Sequence, residues 1–132
     1  MDKLLGLLLN GVPTISVADW QTHCDYRGRY DRNDPTILMF WRAVEEFDEV
    51  QRAALLKFTT GTSKVPLEGF AGLRGSGEVC RFCISCVGEP NDLPRAHCCF
   101  NRLDLPPYTE FPVLRTKLLQ AITMAHEGFE IN

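Results

Sequence analysis

LPRAHCCFNRLDLPPY, residues Leu93 to Tyr108, is the stretch on which the reading of this chain turns. It sets His97 beside two adjacent cysteines, Cys98 and Cys99, between Pro94 on one side and Pro106-Pro107 on the other. Proline holds φ near about −65°, so prolines at both ends fix the shape of such a segment. A loop of this kind can offer a thiol to solvent while Phe100, Leu103 and Leu105 turn inward as anchors. His97 and Cys99 lie two positions apart and share a face on extended backbone. The imidazole then either assists thiolate formation or fixes the loop by hydrogen bonding to backbone. The residues alone leave a nucleophilic thiol and simple burial both open, and a disulfide between neighbours would strain the peptide that joins them.

Working outward, the chain alternates helix and strand signals. Ser16 is an N-cap with Asp19 three residues on, opening a short helix towards Tyr26. Tyr26 to Asp34 is polar and reads as a loop. Asp34 as N-cap and Pro35 at the first helical position open a second helix. Its buried stripe is Ile37, Leu38, Phe40, Trp41, Val44 and Phe47. Asp48 caps a third helix to about Phe58, and Thr59 to Pro66 is a turn-rich connection. Gly69, Gly72, Gly75 and Gly77 leave room for a short strand at best. Val79 to Val87 alternates as a strand with Phe82 and Ile84 on one face, and Leu103 to Leu105 is a further short strand. A last helix runs from about Glu110 to Ala125, ended by Gly128. The sum predicts one α+β domain, a small mixed sheet packed with helices.

Composition narrows the function. The 132 residues suit a single domain, and 14 basic against 17 acidic residues give a net charge of −3. Without a concentrated basic cluster, nucleic acid is not an expected partner. The apolar run Leu4 to Leu9 is far too short to cross a bilayer, so no membrane association is expected. Six cysteines without a secretory signal are expected to be reduced, in the cytoplasm or the nucleus. Cys80, Cys83 and Cys86 have metal-like spacing, but on one strand Cys80 and Cys83 face opposite ways. No metal and no cofactor is expected. A cysteine hydrolase is disfavoured because no acidic residue is placed to orient His97 and no oxyanion-hole motif stands out.

The motif at 93–108 resembles the active-site loop of HECT-type ubiquitin-protein ligases, roughly LP-x-AHTCFN-x-L-x-LP-x-Y. The likeness extends to DYRGRY (Asp25 to Tyr30), MFWRAVEEF (Met39 to Phe47), KFTTGTSKVPLEGF (Lys57 to Phe70) and the ending EGFEIN. The chain is similar to the small C-terminal lobe of that catalytic domain, residues 15–132. Residues 1–14 resemble the end of the larger lobe, with the hinge at Asn10 to Thr14. The resemblance implies that Cys99 accepts ubiquitin as a thioester from a conjugating enzyme and passes it to a substrate lysine. It implies that Leu93, Pro94, His97 and Phe100 shape the loop around the thioester and the ubiquitin tail. It matches Phe129 to a tail aromatic needed for transfer to lysine. For the proton shed by that lysine, Asp104, Asp92 and the Asn132 terminal carboxylate are candidate acceptors on this chain.

One position departs from the pattern: the residue before the nucleophile is usually Thr, and here it is Cys98. A thiol is the poorer hydrogen-bond partner. The alternative expectation is therefore a non-catalytic lobe that only binds ubiquitin or a regulator. Ubiquitin, a conjugating enzyme engaged through the larger lobe, and protein substrates are the expected partners of a monomer. The chain is expected to be a piece of a longer ligase, charged slowly or hardly at all when alone.

Overall fold

The computed structural model describes residues 15–62, 65–66, 69–75 and 78–131, without side chains at 75 and 125–131. The expected hinge, the run Leu4 to Leu9, the side chain of Phe129 and the Asn132 carboxylate lie outside the described residues.

Three short helices form where their caps predict. Helix α1 spans Val17–Thr22, and the Ser16 hydroxyl accepts the Asp19 N–H at 3.1 Å. It stops short of Tyr26 because Asp25–Arg27 leaves it to become strand β1. The DYRGRY stretch therefore begins with a strand rather than a loop, an outcome of pairing that local polarity hides. Helix α2 spans Pro35–Glu46, with the Asp34 carboxylate accepting the Thr36 N–H at 2.9 Å. Ile37, Phe40, Trp41, Val44 and Phe47 are buried, but Leu38 is 52% exposed. One residue past Ile37 is a 100° rotation, enough to carry Leu38 off the buried stripe.

Helix α3 spans Glu49–Thr60 and opens on a capping box in which Asp48 and Gln51 satisfy each other's backbone N–H groups. It takes in Thr59 and Thr60, expected in the connection, because their hydroxyls bond back to the Leu55 and Leu56 carbonyls. Gly61, at φ 87°, ends it in the left-handed conformation. Helix α4 spans Phe111–Ile131 and so runs through Gly128 rather than ending there. An interior glycine weakens a helix by about 1 kcal/mol relative to alanine but does not forbid one.

Between α3 and α4, Arg74–Gly75 (β2) and Glu78–Val79 (β3) form a small antiparallel hairpin, followed by Cys83–Ser85 (β4), Arg95–His97 (β5) and Arg102–Asp104 (β6). The expected strand from Val79 to Val87 is thus two strands with different partners. The Cys80 N–H bonds Leu73 in the hairpin, whereas the Cys83 N–H bonds Asn101. The main sheet has the order β1-β4-β6-β5, parallel at the first two pairings and antiparallel at the last. The α+β class with a small mixed sheet is what the structure has.

Alternation along these strands separates two faces. Tyr26, Ile84 and Leu103 stand in one row across the sheet and face the helices. Asp25, Cys83, Arg102 and His97 form the adjoining row on the other face. The core centres on Trp20, stacked on Phe70 at 5.1 Å and met edge-on by Phe82 and Trp41. These aromatic contacts join α1, α2, the 3-10 turn Phe70–Gly72 and the approach to β4 in one cluster.

Candidate active site

The cysteine pair sits where the chain reverses between two paired strands. Cys98–Phe100 forms a single 3-10 turn from β5 to β6, closed by the Asn101 N–H on the Cys98 carbonyl. Because this backbone turns, His97 and Cys99 do not follow the alternation of a strand, and the shared face expected from their spacing does not hold. Cys98 and Cys99 are both exposed. Phe100, expected to pack inward, is 63% exposed, while Leu103 and Leu105 are fully buried as expected. The tight turn swings Phe100 outward and leaves the anchoring to β6.

Asn101 is what the sequence reading missed. It is fully buried, sits at φ 50°, and its side-chain amide donates to the Arg74 carbonyl at 2.9 Å and the Cys80 carbonyl at 2.8 Å. One residue therefore ties the cysteine turn to the β2–β3 hairpin and, through its own carbonyl, to the Cys83 N–H. Asparagine tolerates the left-handed conformation better than most residues, and its place just after CCF is the available signal.

His97 is held by a carboxylate, not by backbone. Its Nε2 lies 2.7 Å from Asp104 Oδ2, and Asp104 is 5% exposed. A carboxylate only accepts, so Nε2 carries a proton, and whenever the ring is neutral Nδ1 is its acceptor. Arg102 Nε stands 3.1 Å from the other oxygen. Neither atom has a well-directed hydrogen bond among the described residues, so that contact is Coulombic rather than directional. The expectation that no acidic residue orients His97 is therefore wrong. Asp104 is seven residues away, and the antiparallel register that sets His97 opposite Arg102 brings it close. Asp92 instead accepts the Glu89 N–H at 2.8 Å, which commits it to a turn.

The remaining loop residues are placed by neighbours. Cys98 Sγ points at the Phe58 carbonyl, 3.8 Å away at the end of α3. Pro94 is buried. Half-buried Leu93 edges a 640 Å³ groove against α4 at Lys117, Gln120 and Met124. The Tyr108 hydroxyl donates to the Asp92 carbonyl, and Tyr30 donates to the Leu105 carbonyl at 2.7 Å. These buried phenols clamp both ends of the motif.

The other cysteines divide by burial. Burial pushes the Cys24 thiol far up and raises Cys83 as well, the latter drawn back by Arg27 and Arg102. A buried, protonated thiol is a poor nucleophile, which sets Cys24 and Cys83 aside; Cys80 and Cys86 are half-buried, and Cys98 and Cys99 are the exposed thiols. Cys80 lies outside β4 and borders the same cleft as Cys83, so the two do not face opposite ways. Among the described residues no group of three or more His, Cys, Asp or Glu is arranged to hold a metal ion.

The HECT-domain (ubiquitin-transferase) family matches residues 1–132. Over 118 residues the chain is 52% identical to the human E3 ubiquitin-protein ligase HECW2, covering 89% of this chain and 8% of that protein. It is 46% identical over 121 residues to RSP5, an E3 ubiquitin-protein ligase of Saccharomyces cerevisiae, covering 92% of the chain and 15% of RSP5. With the Schizosaccharomyces pombe E3 ubiquitin-protein ligase ptr1 it shares 49% identity over 129 residues, 97% of the chain and 4% of ptr1. The chain thus spans a small fraction of the length of these relatives.

Proposed function

The chain belongs to the HECT-domain family of ubiquitin transferases, and from that premise we propose that Cys99 carries ubiquitin as a thioester between a conjugating enzyme and a lysine. The observation that supports Cys99 is its place on an exposed turn beside a histidine oriented by a buried carboxylate. In the first step the Cys99 thiolate attacks the thioester carbonyl on the conjugating enzyme. A new carbon–sulfur bond forms, the old one breaks, and the conjugating enzyme leaves as thiolate. The exchange is nearly neutral in energy, so proximity dominates its rate.

The second step is harder. A lysine amine, with pKa near 10.4 in water, must lose a proton as it attacks. Nδ1 of His97 is the acceptor we assign, with Asp104 holding the ring in the required tautomer. The ammonium gives one proton to solvent; as the resulting neutral amine forms the carbon–nitrogen bond, the Cys99 thiolate departs and a second proton passes from that nitrogen to the imidazole. The groove beside Leu93 is the surface we assign to ubiquitin while it is held on Cys99. Residues 1–14 would join this lobe to a larger one that recruits the conjugating enzyme, in the cytoplasm or nucleus where thiols stay reduced.

The test is a pulse-chase on the complete protein with activating enzyme, conjugating enzyme and labelled ubiquitin. A thiol-labile adduct should form and then pass to added lysine. No adduct under conditions that charge the conjugating enzyme would leave a ubiquitin-binding lobe instead.

A further inference from the structure

The sheet face turned away from the helices is more basic than the chain as a whole. Two rows of partnered residues cross it: Asp25, Cys83, Arg102 and His97, then Arg27, Ser85, Asp104 and Arg95. With Arg81 just before β4, the face holds four arginines against two aspartates, in a chain whose net charge is −3. One of those aspartates, Asp104, is buried between Arg102 and His97.

The arginines converge beside the cysteine turn. A cleft of 540 Å³ is lined by Arg27, Arg81 and Arg102, with Asp25 on one wall and Phe100 and Val79 at the rim. Arg27 reaches the Cys83 sulfur at its floor, and the charge of Arg102 acts on the same thiol from the cleft wall. Arg81 meets Asp25 at 3.4 Å with the two side chains 44% and 51% exposed, a screened contact that a better-placed carboxylate can displace. Phe100 directly follows Cys99.

We propose that this cleft is an acceptor subsite, which binds an acidic side chain of the protein being modified, close in sequence to its target lysine. The inference rests on Cys99 bearing the thioester. Charge selects the occupant: three guanidinium groups repel a basic segment and gain nothing from an apolar one, whereas a carboxylate can take Arg81 from its screened contact with Asp25. Guanidinium forks match carboxylates bidentately. An extended chain advances about 3.3–3.6 Å per residue, so a carboxylate in the cleft lies within a few residues of an amine at Cys99.

The test compares three peptides, each with one lysine flanked by Glu, Gln or Arg, as acceptors from the ubiquitin-charged complete protein. The Glu peptide should discharge the thioester about fivefold faster than the Gln peptide at low salt, with the ratio shrinking as ionic strength rises. In Arg27→Gln/Arg81→Gln that ratio should fall to within about twofold, and Arg81→Glu should turn the preference toward the Arg peptide. Equal rates for all three peptides in the unaltered protein overturn the subsite, as they would if the remainder of the protein covered this face. So does a Glu preference that survives both variants. Charging is read in the same samples, and its failure counts against the transferase role alone. The subsite is then judged by anisotropy of labelled peptides on the uncharged protein. Tighter Glu-peptide binding that is lost in Arg81→Glu supports it, and equal binding overturns it.

Discussion

Asn101 shows how one side chain can hold a reactive turn. Its amide bonds two carbonyls from different segments, and its backbone occupies a left-handed conformation at φ 50°. Asn101→Ala should cost about 2–4 kcal/mol, because two part-buried hydrogen bonds lose their donor and alanine resists that conformation. Asn101→Gly relieves the backbone but not the carbonyls and should cost measurably less; denaturant melts of both variants check the order. At His97 the expected effect is kinetic. Asp104→Asn presents an amide that can donate to Nε2 and so favours the wrong tautomer. Discharge to lysine should fall roughly a hundredfold while thioester formation changes less than about threefold. Equal loss in both steps would reduce Asp104 to a structural role. The motif named Cys99 and His97 from sequence. It offered Asp104 only as a proton acceptor and concealed both its pairing with His97 and the role of Asn101, since neither an ion pair across a hairpin nor a left-handed backbone is written in residue spacing.

Helix ends were more legible than strands because caps are local chemistry. Ser16, Asp34 and Asp48 each cap the helix that their side chains announce. Asp48→Ala removes the acceptor for the Gln51 N–H at 2.8 Å and should cost about 1 kcal/mol, seen as a lower melting temperature. Strands here are only two or three residues long. At that length pairing partners decide the conformation, so from sequence Asp25–Arg27 reads as a helix end running into a loop at Tyr26, and Val79 to Val87 as one strand. The C-terminal helix overran Gly128 because glycine sets a propensity, not a boundary. For that helix we propose that Phe129 orients the thioester for lysine attack. Phe129→Ala in the complete protein should leave charging within about threefold of normal and slow discharge at least tenfold; equal slowing of both steps would contradict it.

Across the whole molecule, one aromatic cluster and several buried acids of weak strength set the stability. Trp20 is fully buried against three aromatic rings, and Trp20→Ala should cost about 3–5 kcal/mol, enough to unfold a marginal domain. Burial raises Tyr26 from the ordinary 10 to about 12 and pushes Tyr30, Tyr108, Cys24 and Cys83 upward as well. Raised values mean that the fold favours the neutral forms. Their stabilisation is complete below the unfolded values, about 8.5 for thiols and 10 for phenols, and is lost as pH climbs through the folded ones. The melting temperature should therefore fall steadily between about pH 9 and pH 12, and a rise over that window would contradict the burial of these groups. The overall class was legible because apolar periodicity reports layers. The polar sheet face was not, since only strand order collects its arginines.

The central claim is that Cys99, and not its neighbour, carries ubiquitin. Charging Cys98→Ser and Cys99→Ser versions of the complete protein side by side tests it most directly. The first should keep a thiol-labile ubiquitin adduct at a rate within about threefold of the unaltered protein, since transthiolation depends chiefly on proximity. The second should form no thiol-labile adduct. A thiol-labile adduct that persists in Cys99→Ser and disappears in Cys98→Ser would contradict the account.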